Sequence, residues 1–205
     1  MRVLITAGPT HEPIDPVRYI GNRSSGQMGR ALVDAAVATR HTVTLILGPV
    51  SVAMPTDVRR IDVETTRQMH DAVLAEFPHH DLLIMAAAVA DYRPKTFHQG
   101  KIERHGPITI ELEPTEDILA AAGKIKRKDQ RTVGFSLVNR GDISRSIEKI
   151  CQKNLDLIVS NPLETMNNST IEAVLLWPDG RSEKLHSRSK SDFADILLRR
   201  IEKFL

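Results

Sequence analysis

Sulfur chemistry is nearly absent from this chain, which carries one cysteine, Cys151, in 205 residues. One thiol excludes an internal disulfide framework and suits a reducing compartment, so a cytoplasmic location is expected. No run of about 18 apolar residues occurs, so no segment reads as a membrane-spanning helix. The opening MRVLITAGPT is too short an apolar run for a signal peptide and lacks its cleavage pattern. Charge of one sign is not in surplus either: 28 Lys and Arg face 26 Asp and Glu, interleaved, for a net +2. That balance gives no reason to expect nucleic acid or a membrane as partner, although a local basic cluster could still grip a phosphorylated small molecule.

Several catalytic signatures are also missing. There is no GxGxxG, and Gly48-Pro49 stands where an acidic residue would take a ribose. GxxxxGK[ST] is absent, which excludes a P-loop. Tyr92 and Lys95 are one residue too close for the Tyr-x-x-x-Lys pair of short-chain dehydrogenases. The 8 histidines form no HExxH and no metal-ligand spacing with cysteine. There is no GxSxG elbow. His79-His80 precedes a strand in a turn and reads as solvent-exposed. Cys151, on a helix with apolar neighbours, reads as a core or boundary residue rather than a nucleophile. Chemistry here should therefore rest on positioning and charge stabilisation of bound substrates.

What is present is ordered alternation. Apolar runs at 2–7, 42–48, 81–90, 131–138 and 155–161 read as strands, and 108–113 as a further one. Helical spacing recurs at 29–40, 65–77, 117–126, 143–154 and 189–205, with Thr65 or Thr66 as cap of the second helix. Strands parted by helices of this length argue for a parallel sheet covered on both faces. Residues 91–106 are polar and read as a flap. Asp179-Gly180, between 171–178 and 181–185, marks a hairpin. The expectation is one α/β domain over 1–205: a doubly wound, mostly parallel Rossmann-like sheet with a flap and a C-terminal β-hairpin.

In such a sheet ligands bind beyond the carboxyl ends of the strands, near the switch in strand order. Unusual residues gather there: Gly8, Pro9 and Thr10; Asp91 and Tyr92; Gly134 and Phe135; Ser160 and Asn161. The stretch NRSSGQMG (22–29) leads into a helix, with Ser24 and Ser25 as candidate caps. Gly26 and Gly29 remove side chains where a phosphate would approach helix N–H groups. A plain cap with helix–sheet packing is the other reading. Residues 9–22 carry three prolines within eight positions and read as a rigid extended loop presenting Arg18 and Asn22, although Arg18 could pair locally with Asp15. Lys101 is a flap cation or a solvated lysine. Lys149 and Lys153 share a helix face and grip a triphosphate or merely face solvent.

TAGPTHEPIDPVRYIGNRSSGQMG (6–29), AAAVADYRP (86–94), KI (101–102), EDIL (116–119), VGF (133–135) and KNLDLIVSN (153–161) occur in this order. Together they closely resemble the phosphopantothenoylcysteine synthetase family, the second half of the bifunctional coenzyme A biosynthesis protein of bacteria. The resemblance covers nearly the whole chain. It implies a ligase that activates 4′-phosphopantothenate with CTP (ATP being the other candidate) and Mg²⁺, forms an acyl-cytidylate, and couples it to L-cysteine. It implies a homodimer whose site is closed by a lysine-bearing flap.

Carried onto matching positions, the resemblance gives Asn22 the acyl intermediate and Lys101 the flap role. Gly8, Ser24, Gly26 and Gly29 fall at a phosphate site. Ala86 and Ala87 offer backbone groups, and Asp91 meets the nucleotide. Asp117, Ile118 and Leu119 line the nucleotide pocket, completed by Phe135, Lys149, Lys153 and Asn161. No resident metal ligand set is implied. Three departures stand out: Glu116 replaces a usual proline, Val138 a usual glutamate, and Glu103 and Arg104 usual flap lysines. The chain begins on the synthetase's first strand, so a separate decarboxylase is expected. Two alternatives stay open: a catalytically retired nucleotide-binding homologue, and a nicotinamide-dependent Rossmann oxidoreductase.

Overall fold

The computed structural model describes residues 1–139, 143–166 and 168–203. The chain runs β1 (Arg2–Ala7), β2 (His11–Pro13), β3 (Tyr19–Gly21), α1 (Gln27–Ala38), β4 (Thr42–Leu47), β5 (Arg59–Asp62), α2 (Thr66–Glu76), β6 (Leu82–Met85), β7 (Tyr92–Pro94) and β8 (Leu112–Pro114). It continues through α3 (Ile118–Ile125), β9 (Arg131–Val138), α4 (Ser144–Gln152), β10 (Leu157–Pro162), β11 (Thr170–Leu176), β12 (Ser182–Ser189) and α5 (Lys190–Glu202). Phe204 and Leu205, the end of the expected closing helix, lie outside the described residues.

An eight-stranded sheet has the order β12-β11-β10-β9-β6-β1-β4-β5. The strands from β10 to β5 are mutually parallel, and β11 and β12 add an antiparallel edge. The expected doubly wound, Rossmann-like α/β fold is present. The strand order switches at β1, whose neighbours β4 and β6 carry the chain outwards in opposite directions.

The central strands β1, β4 and β6 are buried on both faces, so alternate residues serve two cores. Val3, Ile5 and Ala7 of β1 join Leu32, Val33 and Ala36 of α1 and Phe193, Leu197 and Ile201 of α5. Leu4 faces the other way, with Ile46, Leu83, Met69 and Val73 of α2 and Ile118 and Ala122 of α3. Ile150 of α4 packs on that side too, against Ile158 and Leu119. Helices α1 and α5 thus cover one face, and α2, α3 and α4 the other.

Four expectations change in place or extent. The third parallel strand stops at Met85, and residues 86–91 form a loop at its carboxyl end. The proline-rich stretch is a small antiparallel ribbon, β2 with β3. The strand expected at 108–113 is only Leu112–Pro114, paired with β7. The hairpin turn is five residues, 177–181, closed by Trp177 N–H on the Arg181 carbonyl at 3.0 Å; Gly180 alone takes positive φ there. The sheet also gains β5, an exposed edge strand that its polar sequence hid. His80 is buried rather than exposed: its Nδ1 donates to the Glu76 carbonyl at 2.7 Å, and its Nε2 shares a hydrogen bond with the Thr44 hydroxyl at 2.9 Å. Cys151 is exposed, not core or boundary.

Candidate functional site

A cavity of about 820 Å³ opens at the carboxyl ends of β6, β9 and β10, beside the switch in strand order. It straddles the sheet edge, from the α1 and α5 face to the α3 and α4 face.

Helix α1 supplies one wall, with Asn22, Ser24, Gly26 and Gly29 on it. Ser24 and Ser25 do not cap the helix. The N-cap is Gly26, at φ 78°, with no side-chain cap bond. Ser24 Oγ only accepts the Gly26 N–H, at 3.4 Å. The first N–H groups of α1 therefore stay available to a ligand at the positive end of the helix dipole. Gly29 serves packing as well: a Cβ there would lie 2.2 Å from Ala7 Cβ.

The loop after β6 is the floor, with Ala86, Ala87 and Asp91 on the cavity. Asn22 reaches across to it, donating from Nδ2 to Val89 O at 2.7 Å and Ala88 O at 3.4 Å. Both partners are carbonyls, so the nitrogen must face them and Oδ1 is the atom left for a ligand. A buried chain of hydrogen bonds holds the loop from behind. Ala90 N–H donates to Thr10 Oγ1 at 2.9 Å, and Thr10 Oγ1 lies 3.0 Å from Thr66 Oγ1. Thr66 donates from both N and Oγ1 to Glu12 Oε1, each at 2.7 Å. Glu12, 2% exposed, thus anchors the floor and satisfies the first N–H of α2.

The third wall comes from α3, β9, α4 and β10. Asp117, Ile118, Leu119, Phe135, Lys149 and Lys153 line it, with Asn161 at the end of β10. Asp117 caps α3, accepting from Ala120 N–H at 3.0 Å, and pairs with Lys153 at 2.9 Å. Lys153 is therefore partnered, not unpaired. Lys149 Nζ lies 3.3 Å from Ser136 Oγ. Burial, and then the neighbouring Lys153, push the Lys149 pKa below the ordinary lysine value, against Asp91 and Asp117. Asn161 donates to Thr165 Oγ1 at 2.8 Å.

Two of the residues that the family resemblance implied, Gly8 and Lys101, stand off the wall, as do Pro9, Thr10, Tyr92, Gly134 and Ser160 of the strand ends. Gly8 is buried one layer behind, its carbonyl accepting from Ala88 N–H at 2.8 Å. Lys101 is exposed on the segment 95–111 that joins β7 to β8. That segment is tied to the β2–β3 turn on either side of the lysine. His98 N–H donates to Ile14 O at 3.0 Å, and Ile102 N–H donates to Asp15 Oδ2 at 3.1 Å. Asp15, whose side chain is fully enclosed, also pairs with Arg18 at 2.8 Å, the local pairing its spacing allowed. Burial opposes the Asp15 charge, but the N–H groups of Ile102, Val17 and Arg18 and the guanidinium outweigh it and hold its pKa below the ordinary carboxylate value.

The departure at Glu116 has a structural explanation: its carboxylate receives Arg93 at 3.0 Å and Arg67 at 2.5 Å. Val138 pairs with Pro162 at the end of β9, beyond the cavity wall. Sequence reasoning missed Gln27, Thr115, Ser136 and Lys190, all on the wall. Lys190 had a readable signal, a lysine in the first turn of a helix, where acids are favoured. Among the described residues no three His, Cys, Asp or Glu side chains cluster as a metal site. A second depression, of about 580 Å³, lies near Trp177; its Arg200 and Glu183 already pair at 2.7 Å.

Fold and site together define a doubly wound α/β domain with an anion-accepting crevice at its switch point. The chain belongs to the family of DNA/pantothenate metabolism flavoprotein C-terminal domains, which it matches over residues 1–205. It is 40% identical over 204 residues to the coenzyme A biosynthesis bifunctional protein CoaBC of Vibrio cholerae, covering 96% of this chain and 51% of that protein. It is 43% identical over 206 residues to a protein named cysteine/cysteine sulfinic acid decarboxylase from an unknown prokaryotic organism, covering 98% of this chain and 57% of that one. The chain spans about half the length of these curated relatives, so their differing names describe longer proteins. A crystal structure of the C-terminal domain of CoaBC superposes with a TM-score of 0.86 at 36% identity, covering 99% of this chain and 94% of that one. A Cab2 variant in complex with phosphopantothenate-cysteine shares the fold, with a TM-score of 0.81 at 18% identity over 98% of this chain and 86% of that one. The likeness read from the motifs is met by the family match and by the CoaBC domain.

Proposed function

We propose that the chain is a phosphopantothenate–cysteine ligase of coenzyme A biosynthesis, driven by CTP, with ATP as the competing nucleotide. The observation that carries this reading is the convergence of Asn22, the α1 N-terminus, Lys149 and Lys153 on one crevice. In the first step the carboxylate of 4′-phosphopantothenate attacks the α-phosphorus, forming an acyl-nucleotidylate as pyrophosphate leaves. In the second the amine of L-cysteine attacks the acyl carbon, an amide forms, and CMP departs. Both steps develop negative charge and need no protein nucleophile. Lysines and oriented N–H groups in a recessed site stabilise that charge.

Asn22 would hold the acyl group through Oδ1, with Nδ2 fixed on the floor. Lys149 and Lys153 would take the leaving pyrophosphate. Mg²⁺ would enter as part of the triphosphate; Asp91, which has no ion pair among the described residues, is the wall carboxylate able to meet it. Lys101 would reach the site only by movement of the 95–111 segment. A homodimer and a cytoplasmic location belong to the same reading.

The test is pyrophosphate release from purified protein, Mg²⁺ and 4′-phosphopantothenate, with CTP or ATP, with and without cysteine. Release that requires phosphopantothenate, followed by a cysteine-dependent product, supports the ligase. Folded protein that releases none with either nucleotide refutes it.

A further inference from the structure

Lys190 is the first residue of α5 and sits half-buried on the cavity wall. Among the described residues its Nζ has one side-chain hydrogen-bond partner, the neutral Gln27 Oε1 at 3.4 Å. Among the described residues no carboxylate lies within ion-pair distance of it. The acid of its own first turn, Asp192, is engaged by Ser189 Oγ at 2.7 Å. Burial lowers the Lys190 pKa with no neighbouring charge contributing.

The position is unfavourable for a cation on three counts. The ammonium is partly desolvated, it has no carboxylate partner among the described residues, and it stands at the positive end of a helix dipole. Lys153, on the far wall, has Asp117 as partner. Arg23 also reaches the wall but is exposed to solvent. Among the described residues no acidic side chain takes up the Lys190 charge, while the cavity it faces suits anions.

Lys190 is also on the opposite face of the sheet from Lys149 and Lys153. It belongs to α5, beside α1, whereas Lys149 lies in the last turn of α4 and Lys153 just after it, on the other side. Lys190 therefore meets a ligand from the α1 and α5 side of the cavity, and Lys149 and Lys153 meet it from the α4 side. We propose that Lys190 is a substrate-binding residue for a second phosphoryl group, seated beside the start of α1. This rests on the ligase reading, in which two phosphorylated substrates share the crevice. The group is either the phosphate monoester of 4′-phosphopantothenate or part of the nucleotide triphosphate.

The experiment is calorimetric titration of wild type, Lys190→Gln and Lys190→Arg with 4′-phosphopantothenate, with CTP and with inorganic pyrophosphate, alongside KM for each substrate. Lys190→Gln is expected to weaken one substrate by about tenfold or more, as loss of a charged hydrogen bond implies. Lys190→Arg should recover most of that loss, and the other substrate should stay within about twofold. Loss confined to phosphopantothenate assigns the monoester; loss shared by CTP and pyrophosphate assigns the triphosphate. Thermal stability without ligand should not fall in Lys190→Gln, which separates binding from folding. Unchanged affinity for all three ligands overturns the proposal. The titrations need no turnover, so an inactive wild type would refute the ligase while a charge-dependent loss of pyrophosphate binding still upheld the Lys190 site.

Discussion

Gly29→Ala adds one methyl group at the point where α1 crosses β1. The new Cβ would lie 2.2 Å from Ala7 Cβ and 3.2 Å from Ala7 Cα, neither of which can rotate away. Carbon atoms rest about 3.5–4.0 Å apart, so α1 would have to lift from the sheet by about 1.5 Å at this end. Overpacking costs about 1–3 kcal/mol, and a contact this short against atoms fixed to the backbone belongs in the upper half of that range. Alanine returns at most about 1 kcal/mol through its better helix propensity. The net expectation is destabilisation of about 1–2 kcal/mol. Urea unfolding followed by far-ultraviolet circular dichroism measures it as a lower midpoint at unchanged slope. The same lift moves the first N–H groups of α1 away from the cavity, so pyrophosphate affinity should fall in parallel. A variant as stable as wild type would refute the close approach of α1 to β1, and with it the placement of the phosphate wall.

Glu12→Ala strands two buried donors on Thr66 and should cost about 2–4 kcal/mol in urea unfolding, with Glu12→Gln milder because it keeps an acceptor; a loss below about 0.5 kcal/mol would show the network to be dispensable. Asp15→Asn should speed hydrogen exchange at the Ile102 amide. Because the folded pKa of Asp15 is lowered, its contribution is complete above the ordinary carboxylate value of about 4 and is lost only as pH falls through the lower folded value. Wild-type protection at Ile102 that already fades near about pH 6 would contradict this. Lys149→Met should slow pyrophosphate release yet raise the urea midpoint at neutral pH, since it removes a crowded, partly buried ammonium. The lysine's folded pKa is lowered, so wild type regains stability as pH climbs from that value towards the ordinary lysine pKa of about 10.4, and the variant's advantage should shrink there; an advantage that grows with pH would refute the assignment.

The parallel core was legible because each central strand, buried on both faces, is a continuous apolar run. β9 matches its expected 131–138 end to end. β5 was not legible, since an exposed edge strand needs no apolar pattern and Arg59, Arg60 and Asp62 supply none. The ribbons β2–β3 and β7–β8 are three residues per strand, too short for periodicity to register. The strand expected at 81–90 ran long because AAAVA continues the apolar composition of β6 into a loop whose backbone is satisfied by Thr10, Gly8 and Asn22, all distant in sequence. In the site, motif residues near strand ends were found because topology places them together. Lys190 escaped because nothing local links residue 190 to residue 27; only the packing of α5 on α1 does.

That packing also sets an order of events during synthesis. The apolar stripe of α1, Leu32, Val33 and Ala36, is finished by Phe193, Leu197 and Ile201 of α5. Some 150 residues must leave the ribosome between the two helices, an interval on the order of 10 s at about 5–20 residues per second. Through that interval this side of the sheet has α1 alone as cover, and the part of the stripe that meets α5 stays in water. The thirteen residues of α5 act as a lock that closes this face of the sheet. A ribosome that stops short of them releases a polypeptide prone to aggregation and proteolysis, whatever the quality of its first five strands.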